Sequence, residues 1–133
     1  MTKSISVYLF ILVLFGCASQ QAYEGEKRSK DEVAIIEPES PSLFKTGPSV
    51  SIQEVDGKKL DQLKSGAFEV LPWEHTIRAM LVSVPGAYGG ISMKTEPIPI
   101  TFTVRAGETY TVDHNGTAYY VKENSTGRIV VEK

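Results

Sequence analysis

Turn residues punctuate this chain from residue 32 onward at intervals of about 8–12 positions, a rhythm that allows short strands but no long helix. Residues 32–37 read EVAIIE and stop at Pro38. Residues 49–55 alternate, with Val50 and Ile52 on one side and Ser51 and Gln53 on the other, and Asp56-Gly57 closes them as a turn. Residues 67–71 end at Pro72, and residues 75–84 are rich in β-branched side chains between Pro72 and Pro85-Gly86. Arg78-Ala79-Met80-Leu81 would suit a helix, but the breakers on both flanks favour a strand. Along residues 98–105, Ile98, Ile100, Phe102 and Val104 face one way, and Pro99, Thr101, Thr103 and Arg105 the other. Pro99 lacks a backbone donor, which puts the start of this strand at a sheet edge. Ala106-Gly107 leads into residues 108–113, and Asn115-Gly116 predicts a type I′ hairpin into residues 117–122. Residues 124–127 turn once more into residues 128–132. Residues 58–64 suit one helical turn, stopped by Ser65-Gly66.

About seven to eight strands in roughly 100 residues predict an all-β fold, a small antiparallel β-sandwich or open barrel. A domain of this size buries about two-thirds of the surface its unfolded chain exposes, enough for one core.

The first sixteen residues follow another logic. Lys3 gives a positive start, and residues 5–15 are an almost unbroken apolar run. That run is shorter than the roughly 20 apolar residues of a membrane span and has the layout of a secretory signal. Small and polar residues follow at once, beginning with Gly16-Cys17-Ala18-Ser19. Leu14-Phe15-Gly16-Cys17 resembles the lipobox of bacterial lipoproteins, with Leu14 and Gly16 at the recognition positions and Phe15 where a smaller residue is usual. The resemblance implies that the Cys17 thiol carries diacylglycerol and that the chain is cut before it. It implies an acylated (palmitate-type) amino terminus as well. Ala18 rather than aspartate follows Cys17, which resembles lipoproteins exported to the outer membrane, on its periplasmic face. The domain organisation expected is a signal peptide over residues 1–16, a lipidated flexible tether over 17–31, and a β-sandwich domain over 32–133. The tether reading rests on polar composition, Gly25 and a lack of apolar period.

A second resemblance covers residues 49–78 and 104–110. Val55-Asp56-Gly57-Lys58, then Val70-Leu71-Pro72-Trp73-Glu74-His75-Thr76-Ile77, then Ala106-Gly107-Glu108-Thr109-Tyr110, are similar to small bacterial envelope lipoproteins with PEGA-type or transthyretin-like sandwiches. Trp73 stands where that pattern has glycine. The resemblance implies a fold and no catalytic residue.

Composition narrows the function. The 133 residues hold 14 basic and 16 acidic side chains, one cysteine and two histidines. One cysteine makes no intrachain disulfide and no cysteine-based zinc site. A formal net charge of −2 is not that of a general nucleic-acid binder. No P-loop, dinucleotide fingerprint or hydrolase motif is present, and no cofactor is expected. The two Asn-X-Thr triplets, at Asn115 and Asn124, read as turn chemistry.

Three residues stand out as possible binding residues: Trp73, His75 and Tyr88. Trp73 is a candidate stacking platform and His75 a candidate ligand or base, against the simpler reading of a core-edge tryptophan and a hydrogen-bonded strand histidine. Tyr88 sits among glycines in residues 85–97, a candidate binding loop. Tyr119 and Tyr120 must point to opposite faces, one of them into the core. The leading expectation is a membrane-anchored lipoprotein with a non-catalytic binding or structural role in the cell envelope. Its partners would be the membrane, through Cys17, and an envelope protein or cell-wall material. Two alternatives remain: a small hydrolase or metal-dependent enzyme using His75, Glu74, Asp113 or His114, and an inhibitor or immunity-type binder.

Overall fold

The computed structural model describes residues 19–39, 49–60, 66–83 and 93–133. Among these residues there is no helix, and eleven strands form two sheets. In chain order they are β1 (Gln20–Gln21), β2 (Ala34–Pro38), β3 (Ser49–Val55), β4 (Lys58–Lys59), β5 (Phe68–Val70) and β6 (Glu74–Ser83). After them come β7 (Met93–Lys94), β8 (Ile98–Thr103), β9 (Thr109–His114), β10 (Tyr119–Glu123) and β11 (Arg128–Glu132). The first sheet runs β1-β5-β2-β9-β10-β11. The second runs β4-β3-β6, with β7 and β8 following one another along the far side of β6.

The all-β expectation holds, and every one of the eight long runs is a strand. Three two-residue strands add to them, too short to show in an alternation pattern. The pairing is not wholly antiparallel: β2 lies parallel to β9, and β1 parallel to β5. The chain reaches this mixed order because it passes between sheets. β2 leads into β3 of the other sheet, and Ala106-Gly107 carries β8 of the second sheet into β9 of the first. Gly107 takes φ +82° there, with Glu108 N–H bonded to the Arg105 carbonyl, so glycine serves a sheet-to-sheet turn rather than a hairpin.

Alternation fills the core. Val50, Ile52 and Val55 from β3, Ile77 and Ala79 from β6, and Ile100 and Phe102 from β8 face Ala34, Ile36, Phe68, Val70, Tyr110, Val112, Tyr119 and Val121 of the first sheet. Each fully buried valine, isoleucine or phenylalanine side chain among them contributes about 1.5–3 kcal/mol by leaving water. Of the tyrosine pair, Tyr119 is the buried one, while Tyr120 faces outward and donates to Asp113 Oδ2 at 2.9 Å.

Three local expectations need correction. Asn115-Gly116 are not the central pair of a type I′ turn. The chain closes as Asn115–Ala118, Gly116 alone has positive φ (+95°), and Asn115 Oδ1 accepts from the N–H groups of Thr117 and Ala118. The asparagine side chain caps the turn instead of forming its apex. Lys58 and Lys59 are strand, not a helical turn, because Asp56 (φ +48°) and Gly57 (φ +83°) make a tight type I′-like turn back from β3. The segment expected to be a flexible tether carries structure from Gln20 onward. Gln20 N–H bonds to the Ala67 carbonyl and Ala22 N–H to the Glu69 carbonyl, while Lys58 pairs with Glu24 at 2.8 Å. The first strand therefore begins inside the expected tether rather than after it. Pro99 does lie at an edge: among the described residues β8 pairs with β6 alone, and the Lys133 ammonium caps the Pro99 carbonyl at 2.6 Å.

Candidate functional site

The end of the sandwich that carries the β3–β4 turn, the β5–β6 turn and the β8–β9 turn gathers two of the three binding candidates. Pro72 stops β5, and the chain makes a short bend before β6 begins at Glu74. Trp73 sits on that bend. Its backbone carbonyl accepts from Val104 N–H at 3.0 Å, and its side chain is 55% exposed. Two positions on, His75 points inward and is 5% exposed. The two rings stack at 6.1 Å between centroids with 25° between their planes.

His75 is held from both sides. Its Nδ1 meets Asp56 Oδ2 at 2.5 Å, and its Nε2 meets the Leu71 carbonyl at 2.6 Å. The other carboxylate oxygen of Asp56 accepts from Thr76 N–H at 2.9 Å, and Asp56 N–H bonds to the Thr76 carbonyl at 2.8 Å. Asp56 thus ties the β3–β4 turn to the start of β6, and His75 ties that point to the end of β5. Both ring nitrogens face an oxygen, so neither is left to hold a metal or to take a proton from a substrate. An Asp–His pair alone resembles part of a hydrolytic triad, but here the nitrogen that would meet a nucleophile meets a backbone carbonyl.

The residues of the enzymatic alternative do not converge. His114 lies at the end of β9 in the other sheet, where its Nδ1 accepts from Gly116 N–H at 3.0 Å and its ring meets Tyr119 edge-on at 4.7 Å. Asp113 accepts from His114 N–H and from the Tyr120 hydroxyl. That hydroxyl, donating to the carboxylate, has its pKa raised above the ordinary tyrosine range. Among the described residues no group of three histidine, cysteine, aspartate or glutamate side chains is placed to hold a metal ion. Tyr88, Cys17, Leu14 and Gly16 lie outside the described residues.

The sequence reading missed two buried carboxylates. Glu123, at the end of β10, is fully buried and receives four donors. These are Arg105 Nη2 at 2.6 Å, Arg105 Nε at 3.3 Å, the Tyr110 hydroxyl at 2.9 Å and the Thr126 hydroxyl at 3.0 Å. The Arg105 guanidinium holds the Glu123 carboxyl below the usual carboxylate range, against the effect of its desolvation. Tyr110 also accepts from Arg105 N–H at 2.9 Å, a hydroxyl reaching back to the backbone as in the tyrosine corner of other sandwiches. Burial raises the Tyr110 phenol. The available signal was Arg105-Ala106-Gly107 followed by Tyr110, read only as a turn and a strand. Glu69, in the middle of β5, is 1% exposed, and among the described residues neither carboxylate oxygen has a hydrogen-bond partner. No sequence signal marked it, because a glutamate between two core residues reads as the outward side of an alternating strand.

No protein-family model, no curated protein and no solved structure matches this chain.

Proposed function

We propose that the chain is a bacterial envelope lipoprotein, fixed to a membrane by lipid on Cys17, whose β-sandwich binds a partner and catalyses no reaction. The observation that carries the anchor is the order of residues 3–17: a positive residue, an apolar run too short to span, then Leu14-Phe15-Gly16-Cys17. The resemblance to PEGA-type envelope domains, drawn from turn and strand signatures, agrees with the all-β architecture. The binding role draws support from Trp73, a large aromatic kept more than half exposed on a bend whose backbone is pinned to Val104. Tryptophan on a rigid support is a frequent centre of binding energy. A catalytic role has less support, since His75 spends both nitrogens on holding three strands together.

One chain of experiments tests the reading. Cys17→Ser should move the protein from the membrane fraction to the soluble fraction. Trp73→Ala should leave the fold and fractionation unchanged while abolishing crosslinks to envelope protein or cell-wall material. Wild-type retention in the soluble fraction defeats the anchor, and crosslinks untouched by Trp73→Ala defeat the binding face.

A further inference from the structure

We infer that β1 is a placeholder, and that the β5 edge beneath it receives an extended segment of a partner protein bearing a lysine or arginine opposite Glu69. The inference deepens the reading of this domain as a binding module and does not depend on the lipid anchor.

Glu69 is the starting point. Its side chain points away from the core that Phe68 and Val70 enter, yet it is 1% exposed and, among the described residues, neither oxygen has a donor. A buried polar group without partners is uncommon and costly, and it signals a missing donor. In register with it stand Gln21 on the β1 side and Ile35 on the β2 side. Gln21 has a donor, but its amide turns to the carbonyls of Tyr23 at 3.0 Å and Gly25 at 2.9 Å. The nearby cation Lys58 is spent elsewhere, on Glu24. Glu123, buried to the same degree, shows what a furnished carboxylate looks like in this fold.

β1 is also weakly held. It spans two residues, paired parallel to β5 in the register Gln20–Phe68 and Gln21–Glu69, with Gln20 N–H bonded to the Ala67 carbonyl and Ala22 N–H to the Glu69 carbonyl at its ends. A cavity of about 130 Å³ lies between it and the second sheet, lined by Tyr23, Val55 and Leu60 among others. The Lys58–Glu24 pair is solvent-exposed and adds little. Once β1 leaves, β5 becomes an open edge with free backbone groups, the surface that strand addition uses. A basic side chain at the position of Gln21 would then meet Glu69 with a charge-assisted hydrogen bond. The β8 edge is less suited, since Pro99 has no N–H and Lys133 occupies its carbonyl.

The test uses the full chain in detergent and a labelled eight-residue peptide copying residues 18–25 with lysine in place of Gln21. Gln20→Pro removes the donor to the Ala67 carbonyl and loosens β1 from the edge. This variant should bind the lysine peptide more tightly than the unaltered chain does. It should also prefer it to a glutamate-bearing peptide by on the order of ten-fold, a preference that Glu69→Gln erases. Equal binding of the two peptides, or no binding by a Gln20→Pro chain that melts cooperatively, would overturn the inference. Should that variant not fold, Gln21→Lys in the full chain gives the same information. The Ala22 amide should exchange more slowly in it, with the gain lost in Glu69→Gln, and unchanged exchange would overturn the proposal.

Discussion

Glu123 and Glu69 occupy matching places in one sheet, each on the strand next to an edge and each fully buried, yet they are opposite in character. Glu123 faces the core rim and collects four donors from Arg105, Tyr110 and Thr126. Glu69 faces the outside of the sheet beside a two-residue strand and has no donor among the described residues. The first carboxylate fastens the β8–β9 turn to the β10–β11 turn, and its cost of burial is offset by its partners. The second weakens the edge where it sits. Within one sheet the difference separates a part built to stay closed from a part built to open.

Removing a donor from the closed end should have the largest effect. Arg105→Ala takes away both guanidinium contacts and leaves Glu123 short of charge compensation, and the urea midpoint should fall further than for Tyr110→Phe or Trp73→Ala. Tyr110→Phe, which deletes one hydroxyl that serves both Glu123 and Arg105 N–H, should cost about 1–3 kcal/mol in the same assay. The acid limb gives an independent check. The Glu123 carboxyl is lowered in the folded state, so its contribution is present above the ordinary carboxylate range near 4.3 and is lost as pH falls through the lowered value. Urea midpoints should hold from pH 7 down to about 4.3 and fall as the pH drops below it, and Glu123→Gln should flatten that fall. At the open end the sign reverses: Glu69→Leu should stabilise by about 1–3 kcal/mol, because it removes a buried carboxylate that has no hydrogen-bond partner among the described residues. A loss of stability there would mean that the two carboxylates are alike. Trp73→Ala should change stability by no more than about 0.5 kcal/mol, as for exposed positions in general, while removing partner crosslinks.

Much of the fold was legible because its long strands carry their own punctuation. β3 and β11 begin and end where alternation and turn residues put them, and Pro99 announced an edge. The parallel pairings were not legible. β2 meets β9 across about seventy residues, a contact that no local pattern encodes. β1 was hidden for a related reason: its hydrogen bonds depend on the presence of β5, whereas Gln20 and Gln21 by themselves suit a polar linker. Of the site, Trp73 and His75 were found by their chemistry, but the roles divided only once Asp56 and the Leu71 carbonyl were seen to take both ring nitrogens. Glu123 and Glu69 could not be told apart from any other strand glutamate, since burial and partnership are properties of the packed sheets.

The intact mass of the protein recovered from bacterial membranes tests the lipoprotein assignment most directly. The expected result is loss of residues 1–16 together with a diacylglyceryl group on Cys17 and further acylation of its amino group. A full-length chain with an unmodified Cys17, recovered from the soluble fraction, would contradict it.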